Sequence, residues 1–295
     1  MMADYLNPSI INQLDNLYLK AKTIVEGYMS GMHKSPYHGF SVEFSEHRSY
    51  GIGDEVKNID WKIWSKTDKL YVKRFEEETN LISHIFLDTS KSMGFSSNNI
   101  TKFQYSKIIA SALSYLMIKQ KDAVGLYAFD SKINLTIPPK GNKTHLNNMI
   151  TEIDKIKLGE DTNISQILHL GAEKIKKRGL IILISDLFDD PEKVINSLKH
   201  FKYKHNEVLV FQILDPLEIE LDYNQNIIFQ DLETNETIET EPWHIKSDYK
   251  KQINEVLDYY KTECAINKID YNLLTINHNI DYALSKFLKK RQKSF

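Results

Sequence analysis

The chemistry of this chain concentrates in "LISHIFLDTSKSMGF", residues 81–95. An apolar run ends in a carboxylate, Asp88, and two hydroxyls follow at alternate positions, Ser90 and Ser92. A second apolar run, "GLIILIS" at 179–185, leads straight into Asp186. Thr162 lies in "GEDTNISQIL", where an amphipathic helix begins and a hydroxyl is the expected N-cap. Two carboxylates and three hydroxyls form an all-oxygen donor set. Such a set suits Mg²⁺ or Mn²⁺ and argues against zinc or copper. Hydroxyls donate little charge, so a cation held mainly by Ser90, Ser92 and Thr162, with the aspartates partly acting through water, stays electrophilic. It completes its octahedron with an anionic oxygen from outside, and a partner protein's carboxylate is the natural donor. The site need not be filled before that partner arrives. Taken singly, each residue has a plainer reading. Asp88 and Ser90 can end a strand and cap a helix, Thr162 can be a simple cap, and Asp186 competes with Asp189 and Asp190 in the turn "SDLFDDP". Convergence of three loops on one edge favours the metal.

That convergence needs a particular scaffold. Apolar strands are expected at "LISHIFL", "AVGLYAF", "GLIILIS", "EVLVFQIL" and "IDYNLLTI". Between them, residues 103–119 and 162–178 carry apolar side chains at helical spacing. Near-continuous apolar strands alternating with such helices indicate a Rossmann-like, doubly wound, mostly parallel α/β sheet covered on both faces. Ligands of such sheets sit outside the carboxyl ends of the strands, where Asp88 and Asp186 fall. Their side chains meet only if the two strands are neighbours. "INLTIP" and "NIIFQDLETNETIET" are expected to add an antiparallel edge and a hairpin excursion near 216–242. Upstream, residues 8–31 read as a helix started by Asn7-Pro8, and residues 32–80 as short strands and turns. The expected division is therefore 1–80, a helix plus a β-rich region, and 81–295, the α/β domain.

Bulk properties narrow the partners. With 38 basic and 40 acidic side chains the formal net charge is −2, which gives no electrostatic case for nucleic acid. The basic end "KFLKKRQKSF" reads as a solvated helix face whose cations complement the helix dipole. One cysteine, Cys264, excludes an internal disulfide and a cysteine metal cluster. No apolar run approaches the roughly 20 residues of a membrane-spanning helix. These features suggest a cytoplasmic protein without a membrane span.

The "DTSKS" stretch resembles the Asp-x-Ser-x-Ser motif of the metal-ion-dependent adhesion site in von Willebrand factor type A domains. The resemblance implies Asp88, Ser90 and Ser92 in the first loop, Thr162 in the second and Asp186 in the third. Residues 36–79 sharpen it. They are similar to the signature of the bacterial "domain of unknown function 58" family, with Gly39, Glu43, Phe44, Arg48, Tyr50, Gly53, Asp54, Ile59, Asp60 and Trp61 in order, then "LYVKRFEEET". Arg48 with Asp54 or Asp60 offers a bidentate ion pair, and Trp61 and Trp64 offer apolar area for a small β region. Architecture is the plain reading of that cluster. The sharper one makes Arg48, Tyr50, Asp54, Asp60 and Trp61 a partner surface.

Family resemblance further implies an accessory to a MoxR-type AAA+ ATPase, acting with it on an acidic client in a chaperone-like way. The chain has no Gly-x-x-x-x-Gly-Lys-Ser/Thr loop and is not expected to hydrolyse ATP alone. A rival from another class is a magnesium-dependent phosphohydrolase using Asp88. Its general acid would stand at position 90, where Ser90 cannot donate a proton near neutral pH. No Gly-x-Ser-x-Gly elbow or HExxH pattern points to other catalysis. The expectation is a non-enzymatic, metal-dependent protein-binding module.

Overall fold

The computed structural model describes residues 8–11, 14, 16–33, 47–49, 51, 64–65, 70–73, 81–159, 163–222, 227–230, 237–240 and 242–293. Its contacts define two units, Met1–Gly31 with Leu81–Phe295, and Met32–Asn80. In the second unit, β1 (His47–Ser49) pairs antiparallel with β2 (Tyr71–Lys73).

The first unit is built on a six-stranded sheet: β3 (Ile82–Asp88), β4 (Ala123–Phe129), β5 (Ile133–Lys140), β6 (Leu180–Ser185), β7 (Glu207–Leu214) and β10 (Asp270–Thr275). Their order is β10-β7-β6-β3-β4-β5, parallel throughout except for β5, which runs antiparallel along β4. The central strands are buried along their length because both faces are covered, as a parallel sheet requires. On edge strand β5, half-buried and exposed residues alternate. Helices α5 (Ile164–Lys174), α6 (Pro191–Tyr203) and α8 (Pro242–Ile266) close one face around Phe86, Leu183, Val210 and Tyr260. On the other lie α3 (Lys102–Lys119) and α9 (Ile280–Lys293), with α4 (Lys143–Lys155) beside α3. This is the doubly wound, von Willebrand factor type A-like fold. Strands β8 (Ile227–Gln230) and β9 (Thr237–Thr240) form the expected hairpin as a separate sheet after the short helix α7 (Pro216–Glu220).

Three expectations change in detail. The first helix is two, α1 (Pro8–Ile11) and α2 (Leu17–His33). Asn16 opens the second by accepting from the N–H groups of Tyr18 and Leu19, so the chain restarts there. Asn163, not Thr162, caps α5, accepting from Gln166 N–H. The basic C-terminal helix is not simply solvated. Lys290 is nearly buried against Glu207 and Asp270, and Arg291 reaches buried Asp122. Ion pairing thus overrides exposure on that face.

Candidate metal centre

β3 and β6 are sheet neighbours, with Leu87 opposite Ile184. That register sets the next two residues, Asp88 and Ser185, side by side at the carboxyl edge. Asp88 is fully buried. One carboxylate oxygen accepts from Ser90 N–H at 2.9 Å, the other from the Ser185 hydroxyl at 2.5 Å. Asp88 therefore shapes the loop that follows it. Within that loop the hydroxyls of Ser90 and Ser92 stand 3.0 Å apart, the second on the 3-10 turn Lys91–Gly94. Thr89 is tied to the end of β4 through Phe129 O, and Gly159 N–H donates to Thr89 O at 2.7 Å. The second loop thus reaches the first at Gly159. Thr162 lies outside the described residues. So do Tyr50, Asp54, Asp60 and Trp61, and of Arg48 only the strand backbone is described.

Asp186 follows β6 and is also fully buried. The Lys102 ammonium sits 2.8 Å from its carboxylate and 2.6 Å from that of Glu218, and 4.7 Å over the Phe188 ring. Lys102 enters from the first turn of α3, whose start is fixed by a capping box between Thr101 and Gln104. Glu218 enters from α7, capped by Asp215, whose other oxygen accepts from Ser97 N–H. Three elements therefore share one buried ion cluster. Leu187, next in the loop, holds a left-handed backbone with φ 60°. Its N–H donates to the Ser185 hydroxyl, and its carbonyl accepts from Asp189 N–H and the Tyr260 hydroxyl. Holding a non-glycine residue there costs about 1–2 kcal/mol. Strain of this kind marks loops whose shape is over-determined by their surroundings.

Burial and mutual charge perturb these groups. Burial, reinforced by the charge of Asp186, pushes the Asp88 carboxyl up to about 7, against the lowering effect of its hydrogen bonds to Ser185 and Ser90. Burial works against the Lys102 charge, yet Asp186 and Glu218 hold it above the ordinary lysine range. For Glu218, burial outweighs Lys102 and raises the carboxyl. Ser185, Lys102 and Glu218 escape sequence reading. The one local signal was a lysine in the first turn of a helix, where cations oppose the dipole.

In a magnesium octahedron with bonds of 2.0–2.1 Å, neighbouring oxygens stand about 2.9 Å apart. The Ser90 and Ser92 hydroxyls, at 3.0 Å, match one such edge. Asp186 already carries an internal ammonium, which suits it to the outer shell, through water. The set fits Mg²⁺ or Mn²⁺ with Ser90 and Ser92 as direct donors.

Known proteins share this chain's pattern. A family described as "Protein of unknown function DUF58" matches residues 46–256. An uncharacterized protein of Mycobacterium tuberculosis is 24% identical over 237 residues, 79% of this chain and 74% of that one. The crystal structure of BatB from Bacteroides thetaiotaomicron superposes with a TM-score of 0.50 at 16% identity, over 72% of this chain and 99% of that one. An aerotolerance-related membrane protein from Bacteroides fragilis, carrying mutations to serine, gives 0.51 at 17% identity over the same shares. The last match corrects the expectation of a cytoplasmic location, because the fold occurs in a membrane protein. A buried free Cys264 and a near-neutral charge describe the chain's chemistry, not its compartment. Among the described residues no helix is long and apolar enough to cross a membrane.

Proposed function

The chain belongs to the DUF58 family, whose function is unknown, and we propose from its site that it is a divalent-metal-dependent protein-binding module without enzymatic activity. The observation that carries this reading is the pair of hydroxyls, Ser90 and Ser92, spaced as neighbouring ligands of a hard cation beside a buried carboxylate at the sheet's ligand edge. Mg²⁺ or Mn²⁺ bound there supplies an electrophilic point for an incoming carboxylate oxygen. Asp88 holds the loop in shape, Lys102 neutralises Asp186, and Thr162 belongs to the donor set by resemblance. The matching partner is an acidic group on another protein. Family resemblance supplies its class, a MoxR-type AAA+ ATPase with an acidic client, the ATPase performing the work. Arg48, Tyr50, Asp54, Asp60 and Trp61 are a second contact surface in this reading.

Thermal and chemical unfolding with Mg²⁺ or Mn²⁺ against EDTA tests the site. A ligand at a hundredfold excess over its dissociation constant stabilises the folded state by about 2.7 kcal/mol. The parent gains on this scale, and Ser90→Ala gains nothing. An equal gain in both proteins withdraws the metal centre.

A further inference from the structure

At the opposite end of the sheet, where the strands begin, a groove of about 640 Å³ runs along edge strand β10. Its walls are lysines from both sides. Lys261 and Lys268 come from α8 and the turn after it, and Lys286, Lys289 and Lys290 come from α9. Lys202 adds a sixth, against Glu207 and Asp270 as the only acids among the described lining residues, a formal excess of four positive charges. Lys290 engages both acids and Lys202 shares Glu207. Lys286 lies over the Tyr282 ring at 4.8 Å. Lys261, Lys268 and Lys289 take no ion pair among the described residues. Crowding like charges around a concave surface raises its potential and favours an anion.

The backbone of β10 makes the preference more specific. Among the described residues, only β7 borders this strand within its sheet. Ile276 N–H donates to Leu214 O, so in a parallel pair Leu274, Asn272 and Asp270 also turn their main chain toward β7. Tyr271 and Leu273 turn theirs outward. Thr275, on the same outward side, donates to His278 Nδ1 at 3.0 Å, which closes the edge at its carboxyl end. The open stretch is the one beside the lysines. An extended peptide can add to such an edge through main-chain hydrogen bonds, with its side chains alternating toward the two faces. Here both faces present ammonium groups.

We infer that this edge is a docking site for an extended acidic segment of a partner protein, which adds to the sheet beside β10 with its carboxylates shared between Lys261 and Lys268 on one wall and Lys286 and Lys289 on the other. The site is separate from the metal centre and stands or falls independently of it.

The test uses the whole chain and a fluorescent eight-residue peptide of alternating Glu and Asp, read by anisotropy at low salt. The parent binds it. Lys268→Glu with Lys289→Glu weakens binding at least tenfold while unfolding at the parent's temperature, and Lys268→Gln with Lys289→Gln serves if the reversal perturbs folding. A peptide N-methylated at alternate residues keeps its charge, loses its donors and binds at least tenfold more weakly. Bound peptide also slows amide exchange at Tyr271 and Leu273. Equal binding of the methylated peptide would show charge attraction without strand addition and overturn the inference. Indifference to lysine replacement would place binding elsewhere, and tighter binding of inorganic tripolyphosphate would make the groove a small-anion site. Either overturns it as well.

Discussion

At the first position of α3, Lys102 faces the positive end of the helix dipole, a place where anions are favoured. Its contacts explain the placement, because the ammonium is fully buried between Asp186 and Glu218. Removing one member of a buried ion pair typically costs 3–5 kcal/mol, since the partners are left charged and alone. Lys102→Met should therefore lose about that much stability in EDTA. Added Mg²⁺ should restore more stability to it than to the parent, because the metal is then the only cation facing Asp186. Equal Mg²⁺ effects, measured by chemical denaturation, would mean that Lys102 and the metal act independently. His84 gives a second test at this scale. Burial in β3 lowers its imidazole to about 4, and its Nδ1 has no partner among the described residues. The unfolded chain takes up that proton near pH 6.5, so the group's contribution is present at neutral pH and is lost as pH falls toward 4. Relative to His84→Phe, the parent should lose about 1–2 kcal/mol between pH 7 and pH 5. A constant difference between the two proteins would refute the burial argument. Asp88, Ser90, Ser92 and Asp186 were legible in the sequence because they sit where apolar runs end. Lys102 and Glu218 were not, since their bonds span 84 and 116 residues that only the folded sheet brings together.

Among the elements, the strands read most directly, because burial on both faces leaves continuous apolar runs such as "LIILIS". Helix ends read less well. Asn16 and Asn163 compete with neighbouring hydroxyls and proline as caps, and a side chain's hydrogen bond decides the matter. The β-rich signature of residues 32–80 lies largely outside the described residues. One helix position carries a clear constraint. A Cβ on Gly171 would stand 2.6 Å from two ring atoms of Phe86 and 3.5 Å from Phe201. This glycine lets α5 lie close against β3, the strand that ends in Asp88. Gly171→Ala should cost about 1–3 kcal/mol through overpacking, despite alanine's better helix propensity. Gly171→Ala with Phe86→Leu should recover part of that loss. A stabilised single variant in urea unfolding would show that the ring simply swings aside.

At the scale of the molecule, the two ends of one sheet differ in chemistry. Loops at the carboxyl ends gather acidic and hydroxyl oxygens around Asp88, and the amino ends border a lysine-walled groove. The order of strands in space is not their order in the chain. β3 is central, β4 and β5 build outward on one side, and the other side waits for β6. On the ribosome this order has a cost. From Asp88 to Leu180, an interval of 92 residues, the emerging β3 keeps at least one edge of unpaired N–H and C=O groups. At about 5–20 residues per second, that exposure lasts about 5–18 s. An edge of this kind invites pairing with other nascent chains. The strand that bears the proposed metal loop is thus also the one a translating cell must shield, and any transcript cut short before β6 should yield a product prone to aggregate.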